Sequence, residues 1–297
     1  MSDAPQPQPT PDAGSDLTVR FAMGVAMIAV AVLVAIVGGW AFRVFALAAA
    51  ALMLVEWADL HKVPWFWAWV GAALAAGVLL GAAEYYYPNA ATEGELAWLS
   101  LAPALGAAAL LGLVSRSLAM GWGFAYIVLP AFALIVISWV SEVATGLIFW
   151  VLIVTWATDI FAYFAGRAIG GPKLAPGISP NKTWAGLIGG MAGASFFGWL
   201  TAWYFHLGKP FIWIGATMGL LAQLGDLYES WVKRRAGVKD SSGLLPGHGG
   251  VLDRLDGLLV VAAATMLILL TELWSLPDPI LIPDTVTVMH LTGPQAG

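Results

Sequence analysis

The 297-residue sequence contains no cysteine and few charged residues. The absence of cysteine excludes disulfides and every metal site built on thiolates. Charged residues make up 10% of the chain, whereas an average soluble domain carries about 25%. Hydrophobic residues make up 60% of the chain, and the mean hydropathy is +0.82. These values exclude an ordinary soluble fold and indicate an integral membrane protein.

The apolar residues form continuous runs, without the alternating pattern that is typical of a membrane β-barrel. Runs of roughly 20 apolar residues are long enough to cross a bilayer as helices, and they recur along the chain. We therefore predict an all-α, polytopic membrane protein with about nine transmembrane helices. The predicted spans are residues 21–38, 42–59, 65–83, 97–115, 122–140, 143–165, 184–205, 211–231 and 252–274.

The positions of Lys and Arg predict the orientation of these spans. With nine spans, the N-terminus and the loops after even-numbered spans share one side of the membrane. That side carries all but Arg43 and Lys209 of the 13 Lys and Arg residues. Loops rich in Lys and Arg remain in the cytoplasm. We therefore expect a cytoplasmic N-terminus and a multi-pass protein of the inner (cytoplasmic) membrane.

Composition divides the chain into four segments. Residues 1–16 are Pro-rich, polar and acidic, which predicts a disordered tail and not a secretory signal. Residues 17–140 form a nearly uncharged scaffold of five spans. Residues 141–275 contain four spans and two charged cytoplasmic loops, and we expect this region to be catalytic. Residues 276–297 are predicted to be a short C-terminal tail.

Two pairs of carboxylates lie in consecutive predicted helices. Asp226 and Glu229 are three residues apart, as are Asp253 and Asp256, so each pair shares one helical face. An ionised Asp at the centre of a membrane helix costs about 2.5–3.5 kcal/mol on insertion scales, and neighbouring carboxylates repel one another. Bound Mg²⁺ would offset both costs, because hard oxygen ligands favour this ion. The alternative is that these acids form surface salt bridges with nearby arginines.

A basic, glycine-rich loop joins these two helices. Gly249 and Gly250 permit close backbone approach, and exposed N–H groups on such a loop can bind phosphate oxygens. A second cluster, at residues 158–190, contains Asp159 and Arg167 on one helical face. It lies on the same side of the membrane, so the two clusters can meet. The competing interpretation is that the glycines form a solvated turn and the basic residues only anchor the membrane boundary.

The spacing of these residues resembles the signature of the phosphatidate cytidylyltransferases, also called CDP-diacylglycerol synthases. The matching segments include "QLGDLYES" (223–230) and "SWVKRRAGVKDSSGLLPGHGGVLDRLD" (230–256), and the resemblance covers about 155–257. One departure is Asn181, where the family often carries a second lysine.

The resemblance implies transfer of CMP from CTP to phosphatidic acid, which yields CDP-diacylglycerol and pyrophosphate. It also implies dependence on Mg²⁺, with a second cation. The catalytic residues it implies are Asp226, Asp253, Asp256, Lys233 and Arg254. The substrate-binding residues are Asp159, Arg167, Ser179, Lys182, Thr183, Arg234, Lys239, His248, Gly249 and Gly250. The metal ligands are Asp226, Asp253, Asp256 and Glu229, which requires Asp226 and Asp253 to converge.

The expected partners are CTP, phosphatidic acid and the lipid bilayer, with the active site facing the cytoplasm and no role for nucleic acid. The resemblance also suggests a homodimer. Two alternatives remain open. A CTP-dependent lipid (polyprenol) kinase would transfer the γ-phosphate to an alcohol. A non-enzymatic cation transporter would use the same carboxylates but would not need the basic loop. Other polar residues, including Glu56 and Asp59, are expected to reach interfacial water near span ends.

Overall fold

The computed structural model describes residues 13–82, 101–138, 144–245 and 247–275. These residues form a bundle of helices with one short β-hairpin. The helices, in chain order, are α1 (Ala13–Val37), α2 (Gly39–Leu60), α3 (Trp65–Ala76, continued by a π-helical segment, Gly77–Ala82), α4 (Ala102–Val114), α5 (Leu118–Ile137), α6 (Ala144–Ala168), α7 (Trp184–Tyr204), α8 (Lys209–Trp213), α9 (Gly215–Ala236) and α10 (Leu252–Ser275). The hairpin consists of β1 (Lys173–Ala175) and β2 (Ser179–Thr183).

The helices confirm a helical protein with several membrane-spanning segments. Within the described ranges, five helices are long and apolar enough to cross a membrane, namely Gly39–Leu60, Leu118–Ile137, Ala144–Ala168, Trp184–Tyr204 and Leu252–Thr271. Three shorter apolar segments, Phe21–Val37, Trp65–Gly81 and Ala102–Val114, coincide with other predicted spans. The exact number of nine spans and the orientation of the N-terminus stay predictions. Most of both predicted tails lies outside the described residues, although α1 already begins at Ala13.

Local sequence signals explain several helix ends. The predicted turn between the first two spans is present, because Gly38 and Gly39 adopt φ values of 60° and 52°, which favour glycine. Helix α9 likewise ends at Gly237, with φ 79°. Helix α7 begins at a Thr183 cap, whose Oγ1 accepts a hydrogen bond of 3.0 Å from the Gly186 N–H. The Ser179-Pro180 pair opens β2.

The segment between α6 and α7 folds as a hairpin where the sequence predicted a loop. Lys173 pairs with Thr183, and Ala175 pairs with Ser179, in an antiparallel register. The hairpin fixes the position of Lys182 immediately before α7. The basic residues of this segment are therefore attached to a small ordered element at the end of the bundle.

Glycines of α7 allow it to lie directly against α6. A Cβ on Gly186 would approach the carbonyl oxygen of Ala162 to 3.0 Å, and one on Gly193 would overlap the Phe161 ring. This glycine stripe is used for packing inside one chain. The buried core around it contains large aromatic residues such as Trp57 and Trp150.

Candidate active site

The loops predicted to be basic meet at one end of the bundle. Lys182 of β2 pairs with Asp226 of α9, and the Arg234 Nε donates to the carbonyl of Ile178 in the hairpin at 3.2 Å. Glu56, near the end of α2, accepts a hydrogen bond from Leu252 at the start of α10. The ends of α2, α6 and α9, the hairpin and the beginning of α10 therefore surround one polar region.

Asp226 lies on the accessible side of this region. Its Oδ2 is 2.6 Å from the Lys182 Nζ, and its side chain is 34% exposed. The Ser230 hydroxyl donates to Oδ1 at 3.2 Å. Because the hairpin carries Lys182, the pairing of β1 with β2 directly positions a cation opposite this carboxylate.

Asp256 lies close to Asp226 because α9 and α10 pack tightly at Gly225. A Cβ on Gly225 would lie 2.7 Å from the carbonyl oxygen of Asp256. The Asp256 carboxylate interacts electrostatically with those of Asp226, Glu229 and Asp159. Its Oδ1 accepts a hydrogen bond of 2.7 Å from the Gly257 N–H. The region therefore concentrates negative charge at the junction of α6, α9 and α10.

Cations balance part of this charge. Asp159 of α6 interacts electrostatically with Lys182 and with Arg254. Arg254 also donates from Nε to the carbonyl of His248 at 2.8 Å, so it holds the glycine-rich loop as well. The predicted cluster of Asp159, Lys182, Asp226, Asp256 and Arg254 is thus brought together.

Asp253 has a different environment, although it follows the same sequence spacing. Its Oδ2 accepts hydrogen bonds from the Ser241 N–H at 2.8 Å, the Ser241 hydroxyl at 2.9 Å and the Gly250 N–H at 2.7 Å. Its Oδ1 lies 2.5 Å from the Lys233 Nζ. The side chain is only 4% exposed. Both carboxylate oxygens are therefore engaged by the chain itself.

Lys233 joins Asp253 to Glu229. Its Nζ lies 2.5 Å from the Glu229 Oε2 as well as from the Asp253 Oδ1. Glu229 is fully buried. A buried carboxylate is tolerated only when it is paired, so this lysine is required to neutralise two acids at the junction of α9 and α10.

Several predicted substrate-binding residues hold backbone segments in place. Arg234 donates from Nη1 to the Val238 carbonyl at 2.8 Å, in addition to its bond to the hairpin. Thr183 caps α7 and is buried. Gly249, with φ 77°, pairs with Leu245 across the tip of the loop, where the Leu245 N–H donates to the Gly249 carbonyl at 2.8 Å.

Other predicted residues lie at the edge of the site. Arg167 donates to the Tyr163 hydroxyl at 2.7 Å on the exposed surface of α6. Ser179 lies in β2. Lys239 is exposed in the loop after α9. Helix α1 approaches the loop near His248, since a Cβ on Gly24 would lie 3.7 Å from its Nε2.

Glu56 was expected to reach interfacial water, and that expectation is wrong. The residue is 3% exposed, and its carboxylate accepts hydrogen bonds from Ser241, Ser242, Val251 and Leu252. Sequence analysis missed this contact between α2 and the glycine-rich loop. No spacing pattern connects a single acid in α2 with a loop that lies about 190 residues further along the chain.

The predicted magnesium ligands divide into two sets. Asp226 and Asp256 lie on adjacent helices in the accessible region, and their oxygen donors fit a hard cation. Asp253 and Glu229 are buried and paired with Lys233. Both Asp253 oxygens are engaged, whereas the Glu229 Oε1 has no hydrogen-bond partner within the described residues. Among the described residues, no three His, Cys, Asp or Glu side chains are grouped closely enough to hold a metal ion. Asp226 and Asp253 contact different partners, and their convergence on one ion stays a prediction.

A cavity opens beside Asp226 between α5, α9 and α10. Its volume is about 210 Å³, and its lining consists of Trp122, Tyr126, Leu224, Gly225, Tyr228 and Val260. The Trp122 Nε1 donates to the Tyr228 hydroxyl at 2.6 Å. The Tyr126 hydroxyl is buried and has no hydrogen-bond partner within the described part of the chain. An apolar, aromatic pocket thus adjoins the charged region.

Comparison with known proteins agrees with this combination of a membrane bundle and a charged site. The chain belongs to the cytidylyltransferase family, which it matches over residues 18–271. It is 37% identical over 278 residues to a protein of Brucella abortus named phosphatidate cytidylyltransferase. The aligned region covers 89% of this chain and 96% of that relative. A Pseudomonas aeruginosa protein with the same name is 36% identical over 248 residues, covering 80% of this chain and 90% of that relative. A Bacillus subtilis protein of that name is 45% identical over 117 residues, or 38% of this chain and 44% of the relative.

Proposed function

We propose that this protein transfers CMP from CTP to phosphatidic acid, giving CDP-diacylglycerol and pyrophosphate. The observation that carries the proposal is the similarity to phosphatidate cytidylyltransferases along nearly the whole chain. The charged region at one end of an apolar bundle supports it, because the reaction joins a water-soluble nucleotide to a lipid. Such a reaction needs a polar site at the depth of the lipid phosphate.

The bond changes follow from the substrates. An oxygen of the phosphatidate phosphate attacks the α-phosphorus of CTP and forms a new P–O–P bond. The bond between the α-phosphorus and the bridging oxygen to the β-phosphate breaks, and pyrophosphate leaves with that electron pair. Phosphatidate is already ionised at neutral pH, so no side chain has to remove a proton from it.

The principal task of the protein is to bring two anions together. Lys182 and Arg254 are the cations that adjoin the acidic cluster, and we assign them to substrate phosphates. Lys239, in the exposed loop, extends the same basic surface. The N–H groups of residues 250–252 are bound by Asp253 and Glu56, and Arg234 holds the adjoining segments, so these contacts shape the loop beside the substrate phosphates.

Magnesium is part of the proposal, with Asp226 and Asp256 as the residues that would hold it. When bound, the ion would supply positive charge to the leaving pyrophosphate. Lys182 would keep Asp226 oriented and reduce repulsion between the carboxylates, as its 2.6 Å contact with Asp226 indicates. A second cation stays a prediction from the family resemblance, without an assigned set of ligands.

The lipid would approach from the apolar side. The cavity between α5, α9 and α10 is lined by Tyr126, whose hydroxyl interacts electrostatically with the carboxylates of Asp256, Glu229 and Asp226. We assign it to the apolar part of phosphatidate next to the phosphate. The Tyr126 hydroxyl, which is buried beside this cavity, is a donor that could reach a polar group on the lipid.

The location is proposed from the charge pattern and from the bacterial relatives. An inner-membrane protein with a cytoplasmic N-terminus would place the charged region on the side where CTP is available. Nine spans are consistent with that orientation. A homodimer also stays a proposal, and the glycine stripe of α7 does not support it because it faces α6 of the same chain.

Radiolabelled CTP tests the reaction directly. Purified protein in mixed micelles with phosphatidate and Mg²⁺ should move label from the α-position of CTP into lipid and release pyrophosphate. Label from the γ-position entering the lipid would replace this proposal with lipid phosphorylation. Absence of lipid labelling from both positions, in protein shown to be folded, would overturn the proposal.

A further inference from the structure

Glu56 connects the uncharged half of the protein to the charged site. Its Oε1 accepts hydrogen bonds from the Ser242 hydroxyl at 2.6 Å and the Val251 N–H at 2.9 Å. Its Oε2 accepts from the Leu252 N–H at 2.7 Å and the Ser241 hydroxyl at 3.2 Å. All four donors come from the two ends of the glycine-rich loop. One side chain of α2 therefore closes that loop.

Two of these donors are backbone groups at the beginning of α10. The first N–H groups of a helix have no partner within the helix, and a carboxylate at this position is stabilised by the positive end of the helix dipole. Asp253 binds the Gly250 N–H from inside the same helix end, in the manner of a capping box. Glu56 and Asp253 together bind three successive backbone N–H groups, those of residues 250–252.

Ser241 links the two carboxylates. Its hydroxyl lies 2.9 Å from the Asp253 Oδ2 and 3.2 Å from the Glu56 Oε2. There is no spare room at this point, because a Cβ on Gly250 would overlap both the Ser241 hydroxyl and the Glu56 carboxylate. A displacement of Glu56 would therefore be transmitted to Ser241, and through Ser241 to Asp253.

We propose that Glu56 is a positioning residue for the transfer reaction. It holds the glycine-rich loop against the start of α10 and, through Ser241, holds Asp253 against Lys233. Glu56 contacts no substrate in this proposal. Its effect reaches the chemistry through the loop and through Lys233, which also neutralises Glu229. The kinetic test of this inference rests on the proposed function, whereas the hydrogen-exchange test does not.

The kinetic test uses E56Q. An amide places an N–H₂ group where one carboxylate oxygen accepts from a backbone N–H, so in either orientation one of those two bonds is lost. We expect kcat for lipid labelling to fall by about tenfold to a hundredfold per folded molecule, since displacements of about 1 Å near a reacting centre have effects of this size. The KM for CTP should change much less. The control is D59N, one turn further along α2 on the exposed side, for which kcat should be unchanged.

Two milder variants show whether the effect passes through Ser241. S241A should lower kcat in the wild-type background and have an effect of less than about twofold in the E56Q background, because both changes break one bridge. Independent, multiplicative losses would overturn this route. If E56Q does not fold, S242A should still lower kcat by about fivefold. This change removes the hydroxyl that donates to the Glu56 Oε1 and accepts from the Leu244 N–H. Normal kcat in S242A would then overturn the proposal.

Hydrogen exchange provides a readout that does not depend on activity. In E56Q, the backbone amides of residues 250–252 should exchange faster than in the wild type and D59N, while those of α6 and α7 should not. Unchanged exchange at 250–252, or normal kcat in folded E56Q, would overturn the inference. A wild-type protein that does not label lipid would refute the proposed function instead, and the exchange experiment would still test the hold of Glu56 on the loop.

Discussion

Asp226 and Asp253 have matching positions in the sequence pattern and contrasting positions in the structure. Each is the first acid of a pair separated by three residues. Asp226 lies midway along α9, is 34% exposed and pairs with a lysine from another element. Asp253 lies in the first turn of α10, is 4% exposed and accepts bonds from the loop that precedes it.

The contrast separates an open set of acids from a closed set. The open set comprises Asp159, Asp226 and Asp256, which gather where α6, α9 and α10 meet. The closed set comprises Glu56, Glu229 and Asp253, which are buried and paired with Lys233 or with the loop. The Glu229 Oε1 has no hydrogen-bond partner in the portion of the chain that the structure describes. The open set can accept a cation or face a substrate, whereas the closed set maintains the shape of the loop. Acids with the same sequence spacing therefore have two different roles, one at the accessible site and one in supporting the loop.

The largest effect should follow from D226N, which removes a charge from the open set. Loss of a group that stabilises charge during reaction lowers kcat by about a hundredfold to a thousandfold. The thermal midpoint should change little, because the side chain is 34% exposed. Steady-state labelling of lipid and a thermal melt measure the two quantities. A normal kcat in D226N would remove Asp226 from the reaction.

K182A tests the cation of the open set. Its Nζ lies 2.6 Å from Asp226, so its loss should both disturb that carboxylate and remove a phosphate contact. We expect kcat/KM for CTP to fall by about tenfold to a hundredfold, the range for hydrogen bonds between charged groups. K173A, in the same hairpin but exposed on β1, is the matched control and should resemble the wild type. Equal losses in both variants would point to general charge attraction.

G250A disturbs the closed set without removing an acid. The added methyl group would lie 2.5 Å from the Glu56 Oε1 and nearer still to the Ser241 hydroxyl. Overpacking of this kind costs about 1–3 kcal/mol, so the thermal midpoint should fall and activity should drop by about tenfold. G243A lies in the same loop with nothing within 4 Å of the new carbon, and it should change neither the thermal midpoint nor the activity. If G250A left both quantities unchanged, the loop would not be packed against Glu56 and Ser241 as proposed.

The smallest effect distinguishes two neighbouring arginines. Arg234 binds the carbonyls of Ile178 and Val238, whereas Arg235 is exposed and stacks on Trp231 at 4.8 Å. R234Q should lower kcat/KM by about threefold to fivefold, as expected for loss of ordinary hydrogen bonds. R235Q should remain within about twofold of the wild type. A reversed order would place the phosphate-facing cation at Arg235.

Sequence patterns predicted the helices and the meeting of the two basic loops. Long apolar runs specify membrane helices directly, and charge asymmetry assigns loops to a common side. The contacts of Lys182 with Asp226 and of Arg234 with Ile178 confirm that these loops meet. The hairpin was missed because its strands are only three and five residues long and carry no alternating pattern.

The division of the acids could not be predicted. Residues three apart share a face wherever they lie in a helix, so spacing does not reveal that Asp253 sits at a helix end with free N–H groups nearby. The contacts of Glu56 could not be predicted from sequence, because two of its four hydrogen-bond donors are backbone N–H groups, which nearly every residue offers. An acid at a water interface and an acid buried among backbone donors look alike in sequence.

Binding of Mn²⁺, used in place of Mg²⁺ and followed by electron paramagnetic resonance without substrates, tests the separation of the two sets most directly. Folded D226N should lose most of the binding of the wild type, while folded E56Q should keep it, because Asp226 and Asp256 are the proposed ligands and Glu56 is not. Binding that survives in D226N and disappears in E56Q would contradict the assignment of the metal to Asp226 and Asp256.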